Sequence, residues 1–207
     1  MNKPRLNFSL VAVLALTALS LRAEDWVRYV GQPESTLSID GTSTIHDWTV
    51  ETSAVGGTME LETSTDADLK NLKVKPKVAV SIPVRSLKSG KKPMDAVMYD
   101  AMNQKDHPKI EYKLIDMKSM GGTASGPGYN FDATGALTIA GVTKTNTMAI
   151  RIERVDKTKL KVTGNTTVKM TDFGIKPPAP SIGLGLIKTG DEVKLKFTWV
   201  TAQPENK

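Results

Sequence analysis

The sequence predicts an all-β chain, an antiparallel barrel or sandwich of about eight to ten strands with one helix. Three observations predict it. Apolar and polar residues alternate with period two through most of the chain. One stretch, residues 93–104, switches to a repeat of four. No shift of composition and no internal repeat divides the remainder, so residues 24–207 read as one domain.

In chain order, strands are expected at 35–40, 44–52 and 58–63. The apolar phase changes between Leu37/Ile39 and Trp48/Val50, which predicts a bend or bulge at 41–43. Val78, Val80, Ile82 and Val84 then share one face, with Lys77, Ala79, Ser81 and Pro83 opposite. The stretch 93–104 follows, where Met94, Met98 and Met102 recur beside Val97 and Ala101. Pro93 suits a first helical position, and Asp95 suits the positive end of a helix. This methionine stripe has two readings. It packs a helix on the sheet, or it forms an adaptable lid over an apolar cavity, because Met fills irregular gaps.

Alternation resumes with Ile110, Tyr112 and Leu114 against Lys109, Glu111 and Lys113. The run TGALTIAGVTK, residues 134–144, places Gly135, Leu137 and Ile139 on one face and turns at Gly141, where positive φ costs glycine nothing. Met148, Ile150 and Ile152 alternate next. Leu160, Val162, Gly164, Thr166, Val168 and Met170 give the longest case, and Val193, Leu195, Phe197 and Trp199 close the series. One face of such strands meets a core and the other meets water, as in antiparallel sheets.

The first residues read as an export signal, residues 1–23. Lys3 and Arg5 precede an apolar run over 6–21 that carries no charge and is shorter than the ~20 residues of a membrane span. Cleavage is expected after Ala23 or after Ser20, leaving the protein periplasmic or secreted; the competing reading is an uncleaved anchor. No Cys follows the run, or occurs anywhere, so thiolate chemistry and a thioether-linked anchor are excluded. Losing Lys3, Arg5 and Arg22 lowers the formal charge from +6 to +3. The remaining lysines alternate along strands rather than clustering, which argues against nucleic-acid binding.

Catalytic signals are thin. His46 and Asp47 are neighbours in an expected strand, so their side chains point apart, and Asp106-His107-Pro108 falls at the helix-to-strand junction. Ser89 and Lys92 match S-x-x-K, and Lys188-Thr189-Gly190 matches K-T-G, but Lys92 precedes Pro93 and is biased away from the helical region that pairing needs. Gly183-Leu184-Gly185 lacks the βαβ surroundings and glycine spacing of a dinucleotide fingerprint. In the same loop Ile182, Leu184, Leu186 and Ile187 are either an exposed apolar patch or core. No nucleophile, base and orienter are readable together, so neither an enzyme nor a metal or cofactor site is expected.

The spelling G-x-LTI-x-GVTK within residues 134–144 is the central signature of the YceI-like family. Further segments resemble that family in the same order: GTSTIHDW at 41–48, SIPVRSLKSG at 81–90, QKDHPKIEYKL at 104–114, VTGNTTVKMTDFGI at 162–175 and KLKFTWV at 194–200. The resemblance implies an eight-stranded, extended lipocalin-like antiparallel barrel, with the short helix near its mouth. It also implies an interior that holds a long apolar molecule, polyisoprenoids being characteristic. Val80, Ile82, Ile110, Tyr112, Leu114, Phe131, Leu137, Ile139 and Met148 would then line the interior. Ile150, Val162, Val168, Phe173, Leu195 and Phe197 complete its wall, with Met94, Met98 and Met102 over it. The implied partner is an apolar long-chain lipid such as an isoprenoid or quinone, taken up through transient membrane contact, with monomer and dimer both open. The alternative is a packed, ligand-free barrel that acts through its surface as a structural or stress-response module. The chain departs from the family at the R-D-x-H-L segment, replaced here by residues 92–100, so no head-group role is assigned there.

Overall fold

The strands form one antiparallel sheet that closes on itself. The computed structural model describes residues 25–70, 74–120, 128–179 and 187–205. The expected signal at 1–23, and Ile182, Leu184 and Leu186 of the glycine-rich loop, lie outside the described residues.

The strand segments are β1 (Trp26–Gly31), β2 (Thr36–Ser43), β3 (Trp48–Thr52), β4 (Gly56–Glu62), β5 (Lys77–Pro83), β6 (Lys109–Ser119), β7 (Tyr129–Ile139), β8 (Val142–Arg154), β9 (Lys159–Lys169) and β10 (Thr189–Ala202). Helix α1 (Thr63–Ala67) follows β4, and α2 (Lys92–Ala101) precedes β6. The sheet runs β1-β4-β5-β6-β7-β8-β9-β10-β2-β3, and β1 also pairs with β10.

The ring has eight strands, because two of them are broken in the middle. β1 and β2 both run antiparallel to β10, through Gly31↔Thr201 and Thr36↔Thr198, and so form two halves of one strand. β3 and β4 are halves of the next, paired through Leu37↔Thr52 and Val30↔Thr58. At the first break the fully buried Ser35 keeps the ladder satisfied. Its Oγ accepts from Val200 N–H at 3.1 Å, and Gln32 N–H donates to the Val200 carbonyl at 2.8 Å.

Three expectations need correction here. β2 runs straight through 41–43, and the chain reverses at 44–47 instead. The irregularity falls on the partner strand, where β10 carries extra residues between Thr189 and Val193 opposite Ser43 and Gly41. Trp48 and Val50 can therefore share the inner side with Ile39 despite the change of phase. For the same reason His46 and Asp47 stand in an exposed reversal rather than in a strand. The helix is also shorter than expected, ending at Ala101 and continuing as turns to Asp106.

The β7–β8 hairpin forms as its spelling predicts. Ile139 pairs with Val142, and Ala140 and Gly141 both take positive φ, 49° and 80°. That is the two-residue turn whose twist matches its flanking strands. One end of the barrel is plugged by α1, which begins where the Glu62 carboxylate accepts from Ser64 N–H and Thr65 N–H. There the Tyr29 hydroxyl donates to Asp66 Oδ1 at 2.7 Å, and Arg154 Nη2 meets the same oxygen at 2.7 Å. Tyr29, Met59, Leu61, Phe131 and Leu160 are each under 2% exposed in this well-packed half. α2 lies at the opposite end, after β5 and before β6.

Candidate functional site

Inward side chains of the open half do not fill it. They are large aliphatics with few aromatics among them, and an eight-stranded ring is about wide enough to hold one small ligand. The upper cavity measures about 320 Å³, within the range of about 300–1,000 Å³ common for ligand pockets. Ile39, Val50, Ile110, Ile139, Val168, Val193 and Leu195 form its walls. Pro93, Met94, Val97, Met98 and Ala101 of α2, with Met102 just after it, roof the cavity. Ile45, His46, Trp48, Phe173, Ile175, Pro178, Ile187 and Thr189 complete the rim.

A second cavity of about 130 Å³ lies deeper, lined by Val80, Ile82, Tyr112, Leu114, Leu137, Met148, Ile150, Val162 and Phe197 among others. Ile110 and Leu195 belong to both cavities, so the two adjoin along the barrel axis. Among the described residues the deeper lining carries no charged side chain, and its polar residues are Tyr112, Thr166 and Trp199. Burial pushes the Tyr112 phenol up to about 12.

α2 meets the barrel through its methionines and is tied down on its other side. The buried Asp95 carboxylate accepts from Ser89 N–H at 2.8 Å and from Ser89 Oγ–H at 2.6 Å. Burial opposes ionisation of Asp95, but these two bonds and the nearby Lys88 charge outweigh it and hold the carboxyl below its ordinary value. Ser89 is thus a loop anchor, and it donates to an aspartate rather than pairing with Lys92. The Tyr99 hydroxyl donates to the Leu87 carbonyl at 2.7 Å and accepts from Lys88 Nζ at 2.7 Å. The methionine stripe packs on the barrel and lines the upper cavity.

Of the residues expected to line the interior, Phe131 does not reach a cavity. It points inward at the closed end and is wholly packed, because β7 begins there. The others stand on the walls of one cavity or both. Sequence reasoning missed Met117, which is 8% exposed and faces the deeper cavity. A bulge between Leu114 and Asp116 shifts the inward phase of β6 from even to odd residues, leaving Ile115 46% exposed. Among the described residues neither histidine joins a cluster. His46 Nδ1 lies 2.7 Å from the Asp47 carbonyl, and the His107 ring packs over Gly141. Among the described residues no group of three His, Asp or Glu side chains is placed to hold a metal.

A family model described as YceI-like domain matches residues 30–201. No curated protein sequence matches the chain. Solved structures do. A polyisoprenoid binding domain from Saccharophagus degradans, implicated in plant cell wall breakdown, is 15% identical with a TM-score of 0.67, over 86% of this chain and 99% of that one. BcnA of Burkholderia cenocepacia is 18% identical with a TM-score of 0.63, over 80% and 95%. The Campylobacter jejuni YCEI protein is 18% identical with a TM-score of 0.52, over the whole of both chains. At these identities the likeness is one of fold.

Proposed function

This chain belongs to the YceI-like domain family, and on that premise we propose that it is an exported carrier holding a long apolar ligand inside its barrel. One observation carries the reading: two adjoining apolar cavities share Ile110 and Leu195, and a helix presents methionines to the upper one. The polyisoprenoid named for the Saccharophagus degradans domain supports an isoprenoid or quinone-like chain as the ligand. Each methylene taken from water into such an interior contributes roughly 0.8 kcal/mol, so a long chain needs little else for affinity. The function is binding, and the residues that act are those of the cavity walls and of α2.

The charged start and apolar run at the N-terminus support a periplasmic or secreted location. Loading requires transient contact with a membrane, and Ile45, 61% exposed at the rim, supports that contact. A packed barrel acting through its surface is the poorer reading, because its interior would have to be filled. Titration of the purified protein with a polyprenol and with a prenylated quinone tests the proposal. The expected result is a saturable rise in Tm with one lipid retained per chain in native mass spectrometry. A Tm unmoved by either lipid across the titration contradicts it.

A further inference from the structure

At the waist between the two cavities, the wall of the deeper one carries polar side chains. Ile110 and Leu195 mark the junction, and the next inward residue on β6 after Ile110 is Tyr112. Across the ring, Leu195 pairs with Thr166 of β9. Thr166 Oγ1 accepts from Asn146 Nδ2 at 3.2 Å and lies 3.3 Å from Asn146 Oδ1. Asn146 in turn pairs with Gly135, over which the Tyr112 ring lies, so that a Cβ on Gly135 would stand 2.4 Å from the Tyr112 hydroxyl oxygen. Tyr112 of β6 and Thr166 of β9 thus line the deeper cavity and are linked through Asn146 and Gly135 on the strands between them.

Asn146 and Thr166 satisfy one another, whereas the Tyr112 hydroxyl is shielded from solvent and has no hydrogen-bond partner among the described residues. Buried polar groups are nearly always paired, and a donor left alone at a cavity wall is explained most simply by what fills the cavity. We propose that this waist recognises a neutral oxygen acceptor, a carbonyl or ether, on an otherwise apolar chain, with Tyr112 as the donor. The inference rests on the carrier reading above and narrows its ligand.

The chemistry favours a neutral group over an anion. Among the described residues no cationic side chain lines the deeper cavity, so a phosphate at the waist would be desolvated without a counter-charge from them. A protonated phenol donates one hydrogen bond and matches one oxygen lone pair. The size of the deeper cavity, about 130 Å³, leaves room below the waist for a ring or a short tail, with the bulk of the chain above it in the larger cavity. Trp199 Nε1–H also lacks a partner, but it lies against Gly31 on the wall of the β1/β2 break rather than at the junction.

The test compares two probes with the same prenyl chain and a six-membered carbon ring, a prenylated 1,4-benzoquinone with carbonyl acceptors and a prenylated benzene without them. Their affinities are measured for the wild-type chain and for Tyr112→Phe. The wild type should prefer the quinone by roughly tenfold, the scale of one well-made hydrogen bond, and Tyr112→Phe should bring the ratio near parity. The infrared carbonyl stretch of the bound quinone should lie lower in the wild type than in the variant, a readout that packing alone would not move. Tyr112→Phe deletes an oxygen without a partner, so the variant should fold with an unchanged or higher Tm. Equal affinities in the wild type, a preference that survives in Tyr112→Phe, or an ordered water bonded to Tyr112 in the lipid-bound state would each overturn the waist while leaving the carrier reading intact. Failure of both probes to bind would remove the carrier reading and the waist with it.

Discussion

The ring of Tyr112 occupies the space that a side chain at Gly135 would need: a Cβ built on Gly135 would lie 2.2 Å from Tyr112 Cζ. The two residues sit on the inner side of neighbouring strands, one register step apart, since Tyr112 pairs with Leu137 and Leu114 with Gly135. The missing side chain at Gly135 is therefore what lets a phenol lie along the barrel wall.

Gly135→Ala should displace that ring into the deeper cavity. Overpacking of this kind costs about 1–3 kcal/mol, read as a lower denaturant midpoint with an unchanged slope. A midpoint equal to that of the wild type would mean that the ring has free space to move, contrary to the packing described.

Leu137→Asp should be far worse. Leu137 is 5% exposed and faces the deeper cavity, so the substitution sets a carboxylate among apolar side chains. The expected loss is about 4 kcal/mol or more, visible as a collapse of soluble folded protein. Thr138→Asp, on the outer side of the same strand, serves as the control and should fold. If Leu137→Asp melts at the wild-type temperature, the inward register of β7 is wrong.

These two neighbours show what could be read without coordinates. Leu137 was legible because β7 has one buried face and one wet face, so period-two alternation records its orientation residue by residue. The same holds for Ile150, Val162 and Leu195. Met117 was not legible, since the bulge before Asp116 reverses the parity and nothing in Leu114-Ile115-Asp116 announces it. Phe131 was legible as inward but not as packed, because a core residue and a cavity wall are chemically alike. The pairing of Tyr112 with Gly135 depends on contact between strands, which neither strand's own pattern contains. Helix α1 is a single turn whose start rests on the Glu62 side chain, too short to leave a periodic trace.

Asp95→Ala should loosen the helix over the upper cavity. It removes the carboxylate that receives both Ser89 bonds, at about 1–2 kcal/mol, and should speed amide exchange across α2 more than in the strands. Because the folded Asp95 carboxyl is held below its ordinary 3.8, its contribution is present above that pH and fades as pH falls through the folded value. Uniform exchange in variant and wild type would show that Asp95 does not anchor the helix.

Tyr112 should leave a signature at the alkaline end. Its pKa rises from 10.0 to about 12 through burial, so the folded chain holds the proton more tightly than the unfolded one. The stability this confers is whole below pH 10 and is lost as pH climbs toward 12. Tyr112→Phe should therefore lose less stability than the wild type across that window, while Tyr29, also raised, affects both alike. Parallel denaturant midpoints for the two proteins over that range would contradict the burial of the phenol.

Whether the barrel carries an apolar lipid is read by mass spectrometry of an organic extract of the purified protein beside a mock purification. The expected result is a long-chain neutral lipid that is enriched with the protein and absent from the mock. Repeated extracts with no lipid above the mock would contradict it.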